Sequence, residues 1–591
     1  MNGYMGQLLA VDLTREKISE IPLDRGITKQ FLGGTGYACR LLYDMMDVSC
    51  DPLSPDNMLA FMTGPLTGTM APCTGRHVVC GKSPLTGYWG ESHSGGHFGA
   101  HLKFSGYDGL VITGKAKRPV VIHIDEGSST LLPGSDIWGT TTDVAQERLR
   151  KDLGPVKVAC IGPAGENLVR YAGIMNAERA AARCGLGAVM GSKNLKAIAV
   201  GGSKEVALSD AKEFTEIAKV SSTILRDMMS NLSQSGTAMY VDIAMMFNDM
   251  PIKYFQEVDF ESDLINDKAL GEILTGRIAC YSCPIGCGRK VSLPEHDLKN
   301  IGGPEYQTIA SLGSNLLISD IRAIAVMNRL CNQYGLDTIS TGGTLALAIS
   351  LQELGKLDYN LEWGDSDRAI ELIHAIANRD GFGNELAEGS MRLAAKYGAE
   401  DAALHVKGLE IPGHDPRAFA GMATVYAVAA RGASHLEGDI YSIDMGADVR
   451  DLGIVASDRL DDENKGVTAA KAQDYRAFFD SVIMCHFAFV LPQTLLNLLN
   501  TALGTSMSFE DILTIGSRLV TLKRLFNLKC GLKPQEDTLP SLFSHPLPDE
   551  VTDDFVPNLE RQLDDYYSYR RWDRKTGRPT EEALRELELD Y

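Results

Sequence analysis

The sequence has no long apolar run, few aromatic residues and a deficit of positive charge. Aromatic side chains make up 7% of its 591 residues, and 57 Lys and Arg stand against 77 Asp and Glu, a formal net charge of −20. Such a chain repels a phosphate backbone, so we exclude nucleic-acid binding. A membrane helix needs about 20 apolar residues, whereas the apolar segment 345–351 ends at Gln352 and Glu353. We therefore expect no membrane span.

The N-terminus also lacks a basic stretch followed by an apolar one, so we expect no secretory signal and a cytoplasmic location. Cysteine is scarce, with twelve residues in the whole chain. That number is too low for a disulfide scaffold in a chain of this length. In a reducing compartment, cysteines that cluster are typical of metal or redox sites.

The chain is long enough for two or three domains. Its residue composition and the spacing of its apolar residues change once along the sequence. Up to about residue 203, glycine and β-branched residues predominate, with strand-like runs at 8–13, 109–113, 120–124 and 197–200. Beyond that point apolar residues recur at helical spacing, for example at 321–334, 344–354, 368–378 and 512–527. We predict an α+β protein, with a sheet-rich first part and a mainly helical remainder.

The strongest local motif is Cys280-Tyr-Ser-Cys283-Pro-Ile-Gly-Cys287. Three thiols on one loop with Pro and Gly are typical of iron–sulfur ligation, and a [4Fe-4S] cluster needs a fourth ligand, which can come from far along the chain. Structural zinc is the alternative that this spacing leaves open. The order of the gaps argues against a radical enzyme that uses S-adenosylmethionine. Most of the other cysteines lie in apolar contexts and are predicted to be small core residues.

Several longer motifs together resemble one known family. They are GPLTG at 64–68, KSPLTG at 82–87, IGPAGEN at 161–167, GAVMGSKNLKA at 187–197, GPEY at 303–306 and DTISTGG at 337–343. Together with the cysteine motif they cover nearly the whole length. On these residues the chain is identified as a member of the aldehyde:ferredoxin oxidoreductase family.

The resemblance implies a tungsten ion held by the dithiolenes of two pterins, with molybdenum as an alternative that the sequence does not separate. It also implies one [4Fe-4S] cluster that passes electrons to ferredoxin or to a small iron–sulfur subunit. In such a fold a β-rich domain, 1–204, forms the base for the cofactor. Two mostly helical domains, 205–411 and 412–591, close over it. A homodimer is left open.

The family's pterin and cluster motifs give further residues. Its Asp-x-x-Gly-Leu-Asp motif appears with Asn332 in place of the first Asp and with Asp337 retained. Its second motif retains Asp480 and Cys485. By this match Asn332, Asp337 and Asp480 bind the pterins, since a carboxylate suits the N–H groups of a pterin edge, and Cys485 is the fourth cluster ligand.

Four other positions match residues that surround the cofactor in the family. Arg76 matches an arginine between the cluster and a pterin, where a guanidinium fork bonds several acceptors. His93 and Ala180 match positions whose backbone carbonyls hold a magnesium ion between the pterin phosphates. Arg179, next to Ala180, is included as a cofactor-binding residue.

Two departures concern catalysis and assembly. The family's acid/base glutamate is replaced by Gln307, which cannot exchange a proton at working pH. His435 matches the active-site histidine, and Glu305 is a candidate substitute for the missing glutamate. The Glu-x-x-His pair that holds an iron between subunits in some members is replaced by Val326 and Arg329, so we expect no bridging iron.

The leading functional hypothesis is oxidation of an aldehyde with water to a carboxylic acid, with His435 handling protons. The loss of the glutamate at Gln307 favours an alternative, a relative that works as a reductase or on another substrate, such as an aromatic thioester or a carboxylic acid. A third hypothesis is a cofactor-binding electron-transfer subunit without catalysis.

Overall fold

The computed structural model describes residues 1–589. Its first sheet runs in the order β2-β1-β6-β3-β4-β5, with β1 parallel to β6 and the other neighbours antiparallel. The strands are β1 (Gln7–Asp12), β2 (Lys17–Pro22), β3 (Leu59–Met62), β4 (His77–Lys82), β5 (Trp89–Ser94) and β6 (Gly109–Thr113). Every residue of β4 is buried, whereas the edge strand β2 is mostly exposed. The sheet is therefore covered on both faces at its centre.

A second sheet runs in the order β11-β10-β9-β12-β7-β8, with β12 parallel to β7. Its strands are β7 (Val120–Asp125), β8 (Ser128–Pro133), β9 (Lys157–Cys160), β10 (Ile174–Asn176), β11 (Arg179–Ala181) and β12 (Leu195–Gly201). Short helices connect and cover the two sheets: α1 (Arg25–Phe31), α2 (Gly34–Met45), α3 (Phe98–Phe104), α4 (Thr142–Leu153), α5 (Pro163–Glu166) and α6 (Leu186–Ser192).

Helices then predominate, interrupted by two small sheets. The helices of this middle part are α7 (Ala211–Met228), α8 (Ser230–Ser235), α9 (Tyr240–Met246), α10 (Asp267–Gly271), α11 (Tyr306–Leu312), α12 (Ile321–Tyr334), α13 (Thr338–Glu353), α14 (Ser366–Asn378), α15 (Gly383–Leu386) and α16 (Ser390–Lys396). The small sheets consist of β13 (Leu274–Ile278), β14 (Gly288–Leu293) and β15 (Leu298–Gly302), and of β16 (His405–Val406) and β17 (Leu409–Glu410).

The last part is helical: α17 (Ala420–Val428), α18 (Tyr441–Asp444), α19 (Lys465–Val482), α20 (Pro492–Leu503), α21 (Phe509–Lys529), α22 (Leu559–Arg570) and α23 (Glu581–Glu586). Helix α19 is its centre, because it packs against α17, α21 and α22 and also against α2 of the first part. The C-terminal end of α19 is thereby held against the first sheet.

The predicted α+β class is confirmed, and the predicted strand runs lie on β1, β6, β7 and β12. Helix α13 begins at Thr338, earlier than the expected 344. Gly342 explains the difference, because a Cβ there would lie 2.1 Å from the carbonyl oxygen of Ser311. This glycine permits close packing against α11 and does not break the helix. The three-domain partition stays a prediction.

The described residues also bear on a membrane span. Among residues 1–589 no single helix is long and apolar enough to cross a membrane, although one pair, Tyr306–Leu316 with Ile321–Tyr334, bent by 118°, passes on length and composition.

Candidate functional site

The three-cysteine motif forms the loop of the hairpin between β13 and β14. Ser282 and Gly286 adopt positive φ values of 51° and 63°, which fold the loop tightly. Helix α19 ends in Ile483, whose φ of 62° is also left-handed, and the chain then turns to Cys485. Backbone hydrogen bonds join the cysteine loop, the turn at Cys485 and the segment around Cys73. The N–H of Cys485 donates to Cys73 O at 3.0 Å, and the N–H of Cys73 donates to Ser282 O at 2.9 Å.

Thiols and a guanidinium meet at this junction. Cys73 Sγ lies 3.8 Å from Cys283 Sγ, and Arg76 Nη1 lies 3.9 Å from Cys485 Sγ. The hydrogen bond with Cys73 lowers the pKa of Cys283 to about 6, aided by nearby backbone N–H groups and against the effect of burial. Burial raises the pKa of Cys485, and Arg76 opposes that rise. Thiols with guanidinium groups nearby suit metal ligation, for which the thiolate is needed.

Glycine leaves room beside the junction. A Cβ on Gly95 would lie 2.8 Å from Cys280 Sγ and 3.5 Å from Arg76 Nη1. The chain therefore needs glycine here for the cysteine and the arginine to face the same space.

Arg179 connects the cysteine loop to Glu305. Its Nη1 donates to Glu305 Oε1 at 2.8 Å, and Thr237 Oγ1 donates to the other carboxylate oxygen at 2.5 Å. Burial disfavours the charged form of Arg179, but Glu305 and the thiols of Cys280 and Cys287 raise its pKa. Its Nε and Nη2 are buried without a partner among the described residues. Glu305 is thus held in an ion pair beside the cysteine loop.

His93 and Asp480 form part of a buried polar group over β5. His93 Nε2 lies 3.4 Å from Asp480 Oδ1 and 3.5 Å from Glu91 Oε1, and His486 Nε2 lies 3.1 Å from the same Asp480 oxygen. Burial alone would raise the pKa of Asp480, but the two histidines hold it below its usual value. Lys523, 2.6 Å from Glu91, likewise keeps Glu91 ionised. The two histidines therefore stabilise Asp480 as a carboxylate that can accept hydrogen bonds.

The other predicted cofactor residues lie on the second sheet and on α12 and α13. Asp337 caps α13 and lies 3.3 Å from Arg183 Nη1. Ala180 pairs with Met175 between β11 and β10. Asn332 accepts a hydrogen bond from Thr142 Oγ1 through its backbone oxygen, and its side chain bonds no other described residue. The structure therefore brings Asp337 together with Arg183 but does not connect Asn332 to this group.

His435 and Gln307 lie beside a cluster of rings that includes Tyr306, His414 and Tyr441, and we call this cluster the chamber. His435 starts a short 3-10 turn, His435–Glu437, and its ring centroid lies 4.9 Å from that of His414. Gln307 Oε1 accepts from the N–H of Gly413 at 2.7 Å, which ties it to the residue before His414. Burial lowers the pKa of His435 well below its usual value, and the neighbouring His414 and Arg183 lower it further. His435 is thus held neutral.

Sequence reasoning missed His414, Cys73 and Glu91. His414 lies in the loop motif GHDPR, which is not among the motifs on which the family resemblance rests. Cys73 was included among the core cysteines, and it is buried as expected, but it also contacts Cys283. Glu91 is fully buried on β5, where every residue except His93 is buried. Acidic residues are rarely fully buried without a partner, but nothing in the sequence around Glu91 indicates that burial.

Comparisons with known proteins identify the family. Family models described as the N-terminal domain and as domains 2 and 3 of aldehyde ferredoxin oxidoreductase match residues 8–202 and 216–589. The tungsten-containing aldehyde ferredoxin oxidoreductase of Pyrococcus furiosus is 41% identical over 99% of both chains, and that of Pyrococcus abyssi is 39% identical over 100% of both.

Two further relatives widen the comparison. An aliphatic sulfonate oxidoreductase WOR-like subunit of Pyrococcus furiosus is 30% identical over 99% of this chain and 97% of its own. The active-site complex BamBC of benzoyl coenzyme A reductase, bound to 1,5-dienoyl-CoA, shares the fold with a TM-score of 0.85 at 25% identity, covering 100% of this chain and 97% of that one. By its full-length motifs, its fold and these matches, the chain belongs to the aldehyde ferredoxin oxidoreductase family.

Proposed function

We propose that this protein oxidises an aldehyde with water to a carboxylic acid and passes the electrons to ferredoxin. The supporting observation is a continuous connection across the site. The cysteine loop reaches Glu305 through Arg179, Gln307 follows in the same turn, and Gln307 contacts the loop that carries His414 beside His435. The residues that we propose for electron transfer and for proton transfer are thus linked by a chain of contacts.

The proposed cofactors are a tungsten-bispterin, a [4Fe-4S] cluster and Mg²⁺ between the pterin phosphates. Cys280, Cys283, Cys287 and Cys485 would hold the cluster, and Asp337 and Asp480 would accept from the pterin edges. Arg179 fits such a group because its buried Nε and Nη2 have no partner in the described part of the chain. When bound, the tungsten centre supplies a two-electron acceptor for the substrate, and the cluster releases electrons singly.

The residues of the chain handle substrate and protons. Tyr306, Tyr426 and Tyr441 wall the chamber, and all three are buried, so they exclude bulk water from the reacting group. His435, held neutral, offers one nitrogen as a donor and the other as an acceptor, which suits orientation of an aldehyde oxygen or of the attacking water. Gln307 offers the free N–H of its amide, whose nitrogen is buried without a partner among the described residues.

The electron acceptor is proposed to be ferredoxin or a small iron–sulfur subunit, and the protein is proposed to act in the cytoplasm. A homodimer stays a prediction, as does the absence of a bridging iron. At the latter position Arg329 pairs with Asp143, which makes it a poor metal ligand.

A second candidate is a reductase of the same family. Gln307 favours it, because a site without the glutamate has lost a group that would accept a proton during oxidation.

The test is an anaerobic preparation from the native host, analysed for tungsten, molybdenum and iron and then assayed with a panel of aldehydes and ferredoxin. Tungsten near one per chain with aldehyde-dependent ferredoxin reduction supports the first function. Turnover only with reduced ferredoxin and an acid or thioester supports the second. Zinc as the only metal contradicts both.

A further inference from the structure

A histidine and an aspartate that the family motif does not supply form a buried pair in the chamber. His414 Nδ1 lies 2.6 Å from Asp249 Oδ2, and Tyr240 donates its hydroxyl to the same oxygen at 3.1 Å. The Asp249 side chain is fully buried, and the His414 side chain is nearly so. The two residues come from different parts of the chain, the segment after α9 and the loop before α17, so their meeting is a product of the fold.

The geometry fixes the tautomer of the ring. A carboxylate accepts, so the hydrogen of a neutral His414 lies on Nδ1 and leaves Nε2 as the basic position. No described residue bonds Nε2 in residues 1–589. Two tilted aromatic contacts hold the imidazole in place, with centroids 4.6 Å from Tyr441 and 5.2 Å from Tyr306. His414 is therefore a rigid ring with one free nitrogen.

The two neighbouring histidines are electrostatically unequal. Both rings share the chamber, and a charge on one disfavours a charge on the other. Asp249 stabilises a positive charge on His414, whereas no carboxylate bonds His435 in the described structure. Of the two rings, His414 is therefore the one that is placed to receive a proton, and His435 is placed to act as a hydrogen-bonding group.

We propose that His414 Nε2 accepts a proton released from the substrate and that Asp249 positions and stabilises the resulting imidazolium. The pair performs the proton transfer that the amide of Gln307 cannot perform. This rests on the proposed function, in which aldehyde and water give the carboxylic acid, two protons and two electrons. The electrons leave to ferredoxin, one proton passes to His414 Nε2 and from there to water, and the other leaves with solvent.

The charged and titratable surroundings of the pair are few. The groups around it are the hydroxyls of Tyr240, Tyr306, Tyr426 and Tyr441, the ring of His435, the guanidinium groups of Arg183 and Arg459 and the carboxylate of Asp415. The tyrosines stay neutral at working pH because burial raises their pKa values. These tyrosines therefore act on the pair as neutral hydrogen-bonding groups.

The test uses the holoenzyme with His414→Gln, Asp249→Asn and a control, His374→Gln, at an exposed histidine that bonds Tyr334. We expect kcat to fall roughly 10²- to 10⁴-fold in His414→Gln, the usual contribution of a general base, with tungsten and iron content unchanged. Asp249→Asn should also lower kcat, because it removes the carboxylate that orients the ring, and His374→Gln should leave kcat unchanged.

Histidine-selective ¹⁵N NMR of the substrate-free enzyme gives an independent readout. The His414 signal, identified by its loss in His414→Gln, should show the Nδ1–H tautomer, and Asp249→Asn should weaken that preference. Wild-type kcat retained in His414→Gln would overturn the inference, as would a hydrogen on Nε2. A wild-type enzyme inactive on every aldehyde would instead reject the proposed function, and the NMR result would still decide the state of the pair.

Discussion

Cys73 Sγ lies 3.8 Å from Cys283 Sγ, so a fifth thiol adjoins the four that are proposed to hold the cluster. Cys73 occupies a left-handed backbone position, with φ of 63°, which a non-glycine residue adopts only when its surroundings enforce it. Here the backbone bonds to Ser282 and Cys485 do so. The thiol is therefore a fixed donor toward a cluster ligand.

Cys73→Ala should make the cluster a stronger reductant. A hydrogen bond to a ligand sulfur favours the more negative, reduced cluster, and a bond worth about 1 kcal/mol corresponds to roughly 40 mV for one electron. EPR-monitored redox titration should show a more negative midpoint potential at unchanged iron content. The control is Cys331→Ala, a buried thiol in α12; an unchanged potential in Cys73→Ala would show that the thiol does not donate.

Cys485→Ser should damage the cluster without preventing folding. Serine is a poorer ligand for iron than a thiolate, so we expect iron to fall from about four to about three per chain. Iron analysis and the EPR signal of a three-iron cluster would measure this. Cys530→Ser, at a half-buried cysteine elsewhere, should retain all iron. Full iron content in Cys485→Ser would remove this residue from the ligand set.

His435→Ala should reduce kcat by roughly 10²-fold or more while tungsten remains bound, because we propose that the ring orients the reacting oxygen, and the ring forms no hydrogen bond with another described residue. Steady-state kinetics together with metal analysis separate the two effects. Turnover equal to that of the wild type would exclude His435 from the mechanism.

Gln307→Glu should rescue a His414→Gln enzyme. The new carboxylate can still accept from the N–H of Gly413, and it restores a group that exchanges protons in the same chamber. We expect a gain of about tenfold in kcat over His414→Gln alone. In the wild-type background a large gain would indicate a chain specialised away from aldehyde oxidation. No gain in either background would mean that position 307 does not face the substrate.

His77→Phe should weaken the acid sensitivity of the fold. His77 is fully buried between Phe61 and Phe98, and burial lowers its pKa to about 3. Below the unfolded pKa of about 6.5 only the unfolded chain binds this proton, so stability falls as pH falls, by about 2 kcal/mol at pH 5. The loss of melting temperature between pH 7 and pH 5 should therefore be smaller in His77→Phe. An exposed-site control, His374→Phe, should behave as the wild type.

Much of the architecture could be predicted because its signals are local. Strands such as β6 and β7 are short apolar runs, and α12 and α14 have clear helical periodicity. The start of α13 could not be predicted, because the packing of Gly342 against Ser311 depends on a neighbour distant in sequence. The cysteine loop could also be predicted from the sequence, because, as in β6, all its residues are close together in the chain.

Residues of the candidate site could be proposed from the sequence only where they lie in a recognised motif. Cys485 and Asp480 were found by resemblance, since nothing in their own surroundings in the sequence identifies them. The partners of His414 come from three separate segments, and no spacing in the sequence brings Asp249 to it. A residue that departs from the family, such as Gln307, indicates that something has changed but not which side chain compensates.

The backbone junction of Cys73, Ser282 and Cys485 has a consequence for biosynthesis. A cluster held by the hairpin loop and by Cys485 cannot be completed while the ribosome is still translating the segment between them. In the proposed ligand set, the fourth thiol therefore reaches the other three only after α19 has been made and has docked on α2. A nascent chain truncated before residue 485 is expected to carry the three thiols of the loop without the fourth.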